Sequence, residues 1–269
     1  MSDFDLRVVL VGWGAIATRV AALLAERRSP VSIVAVAVRD TATPRQGLPE
    51  GVLLIRDPSE LAAVEADLMV EAAGRGSVAP WARAGLARGL DVAISSTSAL
   101  TDAALFAELT GLARENRAQL LIPPGALGGI DALAAAARLD MQSVRHEVVK
   151  PAGAWAGTKA ETLCDLAALT APFTFFEGTA RQAADDYPQN ANVAVISALA
   201  GIGLERTTVA LTADPGAKLN SHRIRAMGDF GTLTLTLENR PLATNPKSSE
   251  MTALSLLRMI ENRINPMVI

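Results

Sequence analysis

An α/β N-terminal half followed by an α+β half with a partly open β-sheet is the architecture this sequence predicts, on three observations. Short apolar runs alternate with helical patterns as far as Ile122, a glycine-rich turn joins the first run to the first helix, and the pattern changes after Pro123-Pro124-Gly125. Strands that alternate with helices build a parallel sheet covered on both faces, whereas strands that follow one another build antiparallel or mixed sheets.

In chain order, residues 6–11 are an apolar β-branched run, followed by Gly12-Trp13-Gly14-Ala15-Ile16-Ala17 and a helical stretch over 19–28. The next run, 31–38, ends in Arg39-Asp40, and further runs stand at 53–55, 68–70, 92–95 and 119–122. Between them, residues 59–64, 79–88 and 102–116 repeat apolar side chains at three- and four-residue spacing, the period of a helix with one buried face. The proline pair ends the last strand and sets a boundary between a first domain, 1–123, and a second, 124–245. In the second, 130–139 reads as a helix and 145–149, 207–211, 222–227 and 231–237 as strands. The alternation Leu233-Thr234-Leu235-Thr236-Leu237 fits a sheet with one buried face. Residues 246–269 hold a final amphipathic helix over 248–263, with Met251, Leu254, Leu257 and Ile260 assigned to its apolar stripe, expected to pack back on the first domain.

Composition narrows the function classes. Half of the 269 residues are hydrophobic, one fifth are charged and the net charge is -3, which describes a globular chain with a sizeable core. The charge and the absence of a dense Lys/Arg cluster exclude a nucleic-acid surface, whose affinity comes largely from phosphate neutralisation. The single cysteine, Cys164, forms no intrachain disulfide and no thiolate metal site. The acidic start, Ser2-Asp3-Phe4-Asp5, reads as a cytoplasmic protein without a secretory leader. The uncharged stretch 187–204 begins with Pro188, Gln189, Asn190 and Asn192, so it reads as a buried helix after a polar loop rather than a membrane span.

Gly12, Gly14 and Ala17 have the G-x-G-x-x-A spacing of a dinucleotide-binding turn. The first glycine permits the sharp turn, the second lets backbone approach a pyrophosphate, and the small third residue lets helix and strand pack closely. The N–H groups of the following helix, from Ala15 and Ile16 onward, face the phosphates. A Rossmann-type dinucleotide-binding domain follows, with NAD or NADP as cofactor. An acidic residue at the end of the second strand favours the ribose hydroxyls of NAD and an arginine favours the extra phosphate of NADP. Arg39 and Asp40 offer both, so the choice stays open.

Three polar segments stand out in the second half: 123–131 (P-P-G-A-L-G-G-I-D), 186–193 (D-Y-P-Q-N-A-N-V) and 220–224 (N-S-H-R-I). With the glycine-rich start and the tail Asn245-Pro246-Lys247-Ser248-Ser249, they resemble the L-aspartate dehydrogenase family over nearly the whole chain. The resemblance implies oxidative deamination of L-aspartate with NAD or NADP. The product would be iminoaspartate, which hydrolyses to oxaloacetate and ammonia or feeds NAD biosynthesis. It implies His222 as the family's histidine and Ala126 and Asn192 as cofactor-contacting positions, and it supports a homodimer. Tyr187 departs from the more frequent phenylalanine, a change expected to leave the chemistry untouched.

Elementary chemistry points to the same histidine. Removing hydride from an amino-acid carbon needs a neutral amine and a group that accepts its proton near neutral pH. Of the two histidines, His146 lies in the apolar strand pattern 144–149 and reads as structural, whereas His222 stands at a strand start among Asn220 and Ser221. Aspartate also brings two carboxylates that call for cations. Lys150 and Lys247, in strand-end and turn contexts beside proline, are the candidates, with Asn192 also facing substrate. No metal cluster is indicated. Two other readings share this plan: a reductase or dehydrogenase of the homoserine dehydrogenase or dihydrodipicolinate reductase type, and a cofactor-sensing protein without turnover.

Overall fold

The computed structural model describes residues 6–188 and 192–268, apart from the side chains of Pro246 and Lys247. It divides into two compact units: the chain up to Pro123 together with the segment from Ala253 onward, and Pro124–Thr252.

The first unit runs β1 (Leu6–Val11), α1 (Ala15–Arg27), β2 (Val31–Ala37), β3 (Leu53–Ile55), β4 (Leu68–Glu71), α2 (Arg75–Ala87), β5 (Asp91–Ile94), α3 (Ala103–Glu115) and β6 (Leu120–Leu121). Its six strands lie in the order β3-β2-β1-β4-β5-β6 and every pairing is parallel. The sheet is buried on both sides, which is why its strands read as continuous apolar runs. Alternate residues of β1 and β4 serve opposite layers. Leu6, Val8, Leu10, Leu68 and Val70 pack with Val20 and Leu24 of α1 and with Ala253, Leu256, Leu257 and Ile260. On the other side, Gly85 of α2 lies directly on Met69 and Val92, where a methyl group would stand 2.6 Å from the Met69 terminal carbon.

The second unit runs α4 (Ile130–Ala136), β7 (Met141–Pro151), β8 (Phe173–Thr179), α5 (Ala180–Asp186), α6 (Asn192–Ala200), β9 (Thr207–Asp214), β10 (Asn220–Gly228), β11 (Gly231–Asn239), β12 (Pro241–Leu242) and β13 (Asn245–Ser249); α7 (Glu250–Glu261) follows. Five strands form a mixed sheet, β11-β10-β7-β9-β8, antiparallel except for β7 with β9. One face carries a core of Val148, Trp155, Ala183, Val209 and Leu211 with Ala194 and Ala198 of α6. The other shows exposed polar residues such as Arg223, Arg225, Thr234 and Thr236. The partly open sheet is thus observed.

Three local expectations change. β8 and α5 were not foreseen: a register shift between Thr174 and Phe176 breaks the two-residue period that would have marked the strand. The capping box that opens α5, Thr179 with Gln182, was the available signal. Residues 59–64 form a 3₁₀ helix, Pro58–Ala63, instead of an α-helix. The stripe of α7 is Ala253, Leu256, Leu257 and Ile260, while Met251 and Leu254 are exposed. Strict three-residue spacing falls behind the 3.6-residue turn at every step, so Met251 and Ile260 cannot share a face.

Candidate functional site

The C-terminal ends of β1, β2 and β4 open onto a cleft of about 1020 Å³, at the point where the strand order changes direction and open parallel sheets bind their ligands. Gly12 turns there with φ +98°, and a Cβ on it would stand 2.8 Å from the Cα of Ala73. No L side chain fits either the conformation or the space. Gly14 differs, since a Cβ there would meet nothing within 4 Å, so its missing side chain leaves open room in the cleft. Gly14 is also the N-cap of α1 and lends it no side-chain cap, and Ala15 and Ile16 open the helix partly exposed. Ala17 turns into the core at 2% exposure. This cradle fits a dinucleotide: an open glycine surface with uncapped N–H groups at a helix start.

Arg39 and Asp40 both line the cleft, with Arg45 and Arg56. Asp40 is turned toward its own loop, where one carboxylate oxygen accepts from the Ala42 N–H at 2.9 Å and the other from the Thr43 hydroxyl. These bonds, the hydroxyl first, hold its carboxyl below the usual range.

Sequence reasoning missed the other wall. Glu71 ends β4 at 1% exposure. Its Oε1 accepts from the N–H groups of Ala73 and Gly74 at 2.8 and 2.9 Å and from the hydroxyls of Ser77 and Ser96, and its Oε2 accepts from the Ser96 N–H. A buried carboxylate so fully bonded is the anchor of the Ala72–Gly76 turn that faces Gly12. The signal was an acidic residue closing an otherwise apolar run before Ala72-Ala73-Gly74, but only the pairing of β4 beside β1 gives it meaning.

In the second unit, strand register gathers the other predicted residues. β10 pairs with β7 so that His222 stands opposite Val148, flanked diagonally by His146 and Lys150 on the same face. His222 and His146 are 1% and 0% exposed. His146 Nε2 lies 3.3 Å from His222 Nδ1, and His146 Nδ1 lies 3.0 Å from Ser197 Oγ on α6. Burial pushes His146 down to about 3, and burial, then His146 and Lys150, push His222 well below the ordinary histidine value. Both rings are therefore neutral at neutral pH, which moves the titration of His222 out of the range an ordinary histidine would show. The Lys150 ammonium stands 5.3 Å from the centroid of the Trp155 ring, and burial lowers it to about 8.

The remaining predicted positions lie elsewhere in the same unit. Ala126 is buried and its carbonyl accepts from Asn239 Nδ2 at 2.7 Å, tying the 124–129 loop to the end of β11. Asn239 is paired with Asn220, two residues before His222. The Oδ1 of Asn220 is buried without a partner among the described residues, and its Nδ2 donates to Ser249 Oγ. Asn192 is the first residue of α6, the helix that carries Ser197. Tyr187 is buried in an aromatic cluster with Trp155, Phe175 and Phe176. Gln189, Asn190, Ala191 and the Lys247 side chain lie outside the described residues. A further cleft of about 550 Å³, lined by Gly153, Glu161 and Cys164, includes none of the predicted residues.

The family model described as aspartate dehydrogenase, C-terminal, matches residues 131–263, and the one described as homoserine dehydrogenase, NAD binding domain, matches residues 12–123. An L-aspartate dehydrogenase of Brucella anthropi is 62% identical over 97% of this chain and 98% of its own length. The chain belongs to the aspartate dehydrogenase family. Another L-aspartate dehydrogenase, from Polaromonas, is 46% identical over 78% of this chain and 79% of its own. The crystal structure of aspartate dehydrogenase from Thermotoga maritima shares the fold, with a TM-score of 0.79 at 22% identity over 99% of this chain and 100% of that one. The match to an NAD binding domain over residues 12–123, together with the aspartate dehydrogenase relatives, gives NAD or NADP as the cofactor.

Proposed function

We propose that this chain catalyses the NAD(P)-dependent oxidative deamination of L-aspartate, with His222 as the proton acceptor and Lys150, joined by Lys247 and Asn192, meeting the substrate carboxylates. The observation that carries the reading is a neutral histidine beside a buried ammonium on one sheet face. Its lone pair suits a substrate ammonium that must become an amine, and the Lys150 cation suits a dianion. When bound, the nicotinamide supplies the acceptor for the hydride that leaves the aspartate Cα as the C=N bond forms. One proton of the substrate ammonium passes to His222, the freed nitrogen lone pair forms the C=N bond as the hydride leaves, and water then converts the protonated iminoaspartate to oxaloacetate and ammonium, unless NAD biosynthesis takes the imine first. Gly12, Gly14 and the start of α1 hold the pyrophosphate and Arg39 and Asp40 the adenosine ribose, while Ala126 and Asn192 match the family's cofactor-contacting positions.

Support comes from the relatives' names as L-aspartate dehydrogenases and from the buried cluster of His222, His146 and Lys150. The test is formation of NADH or NADPH with L-aspartate, D-aspartate, L-glutamate and L-homoserine. Turnover confined to L-aspartate is expected, whereas turnover with L-homoserine, or tight nucleotide binding without turnover on any of the four, would overturn the assignment. A homodimer is part of the same reading, and light scattering at micromolar protein should give twice the mass of the 28.1 kDa chain.

A further inference from the structure

The two buried histidines are linked by a chain of hydrogen bonds whose direction can be worked out from its far end. Ser197 Oγ lies 3.0 Å from the carbonyl of Ala194, one helical turn back. A carbonyl only accepts, so both contacts of Ser197 are hydrogen bonds only when its single hydroxyl hydrogen points to that carbonyl. The Ser197 oxygen then faces His146 Nδ1, 3.0 Å away, with lone pairs only, and Nδ1 must carry the proton. A neutral imidazole holds one N–H, so His146 Nε2 is bare. It faces His222 Nδ1 at 3.3 Å, and that nitrogen must be the donor.

We propose that His146 is a positioning residue: through Ser197 and Ala194 it fixes His222 as the Nδ1–H tautomer, leaving Nε2 as the nitrogen with the free lone pair. The proposal rests on the reading of His222 as the proton acceptor, but the tautomer is a separate fact that can be measured without turnover. Left to itself, a neutral imidazole favours the Nε2–H form, which would present a proton where the reaction needs a lone pair. The relay reverses that preference. When His222 takes up a proton, its Nδ1–H bond to His146 persists, so the ring does not rotate between the two states. His146 serves this role because its own burial keeps it neutral, and a second positive ring 5.5 Å from the first, beside the Lys150 ammonium, is thereby avoided.

The chain has only two histidines, so the four ring nitrogens of a histidine-¹⁵N-labelled, tag-free sample can be assigned by NMR with the single variants. Expected at neutral pH are two rings, each protonated on Nδ1 and bare on Nε2. His146→Phe keeps a planar ring and removes the acceptor; it should shift His222 to the Nε2–H form and lower kcat about 10- to 100-fold with little change in KM, less than loss of the base itself. His146→Gln, which restores an acceptor near the Nε2 position, should recover part of the rate. Ser197→Ala reports on the relay if the larger change fails to fold. A wild-type His222 protonated on Nε2, or an unchanged tautomer and kcat in His146→Phe, would overturn the proposal. If the tautomer is as stated but His222→Ala turns over normally, the relay stands and the proton-acceptor reading fails.

Discussion

The two units encode their sites in different ways. In the first, the glycine turn is contiguous: Gly12 to Ala17 lie within one strand-turn-helix, so a short stretch of sequence specifies that part of the cleft, which Arg39, Asp40 and the Ala72–Gly76 turn complete. In the second, His222, His146 and Lys150 come together only because β10 and β7 pair in one register, and Ser197 reaches them from a helix. A one-residue slip would send His222 to the opposite face. A local motif can therefore be damaged by one backbone-sized change, while the second site should respond through charge and proton position.

The sharpest break in that comparison is Gly14→Val. Its side chain would fill the open space beside the α1 start, so nucleotide affinity should fall by at least about 100-fold while the fold survives, because beyond its chain neighbours the new Cβ meets nothing within 4 Å among the described residues. Isothermal titration calorimetry and circular dichroism on the same sample check both halves, and unchanged affinity would remove Gly14 from the site.

Lys150→Met acts in the other unit and should split function from stability. Loss of the cation should raise KM for aspartate about 10- to 100-fold with nucleotide affinity unchanged. In the wild type, KM should rise as pH passes about 8 and Lys150 loses its proton, a dependence the variant should lack. Between pH 8 and 10.5 the unfolded chain keeps a proton that the folded chain has released, so this lysine makes stability rise with pH there. Below pH 8 its buried charge costs stability, and the methionine variant should gain up to about 3 kcal/mol in denaturant unfolding, less the contacts Lys150 makes. A wild-type KM flat across pH 8 would count against a carboxylate at Lys150.

What could be read without coordinates follows the same division. The parallel sheet, the turn at Gly12 and the partly open second sheet were legible because each leaves a local period or spacing. Glu71 was not, since its meaning lies in five donors brought from separate turns. His146 read as structural because a lone histidine in an apolar strand has no visible partner. Ser197 and His222 are 51 and 76 residues away in the chain, and only pairing register reveals them. β8 escaped for the related reason that its bulge erases the alternation by which strands are recognised.

The division of labour between the units is tested most directly by His222→Ala, measured for turnover and nucleotide affinity on one preparation. Loss of one acid–base group costs about 10²–10⁴ in rate, so kcat for L-aspartate should fall by that order. The dissociation constant for NADH or NADPH should stay near wild type, and the acid limb of kcat/KM, displaced below the ordinary histidine range by burial, should disappear. Normal turnover with an unchanged pH profile would contradict the account and move the search for the proton acceptor to Lys150, Lys247 or a bound water.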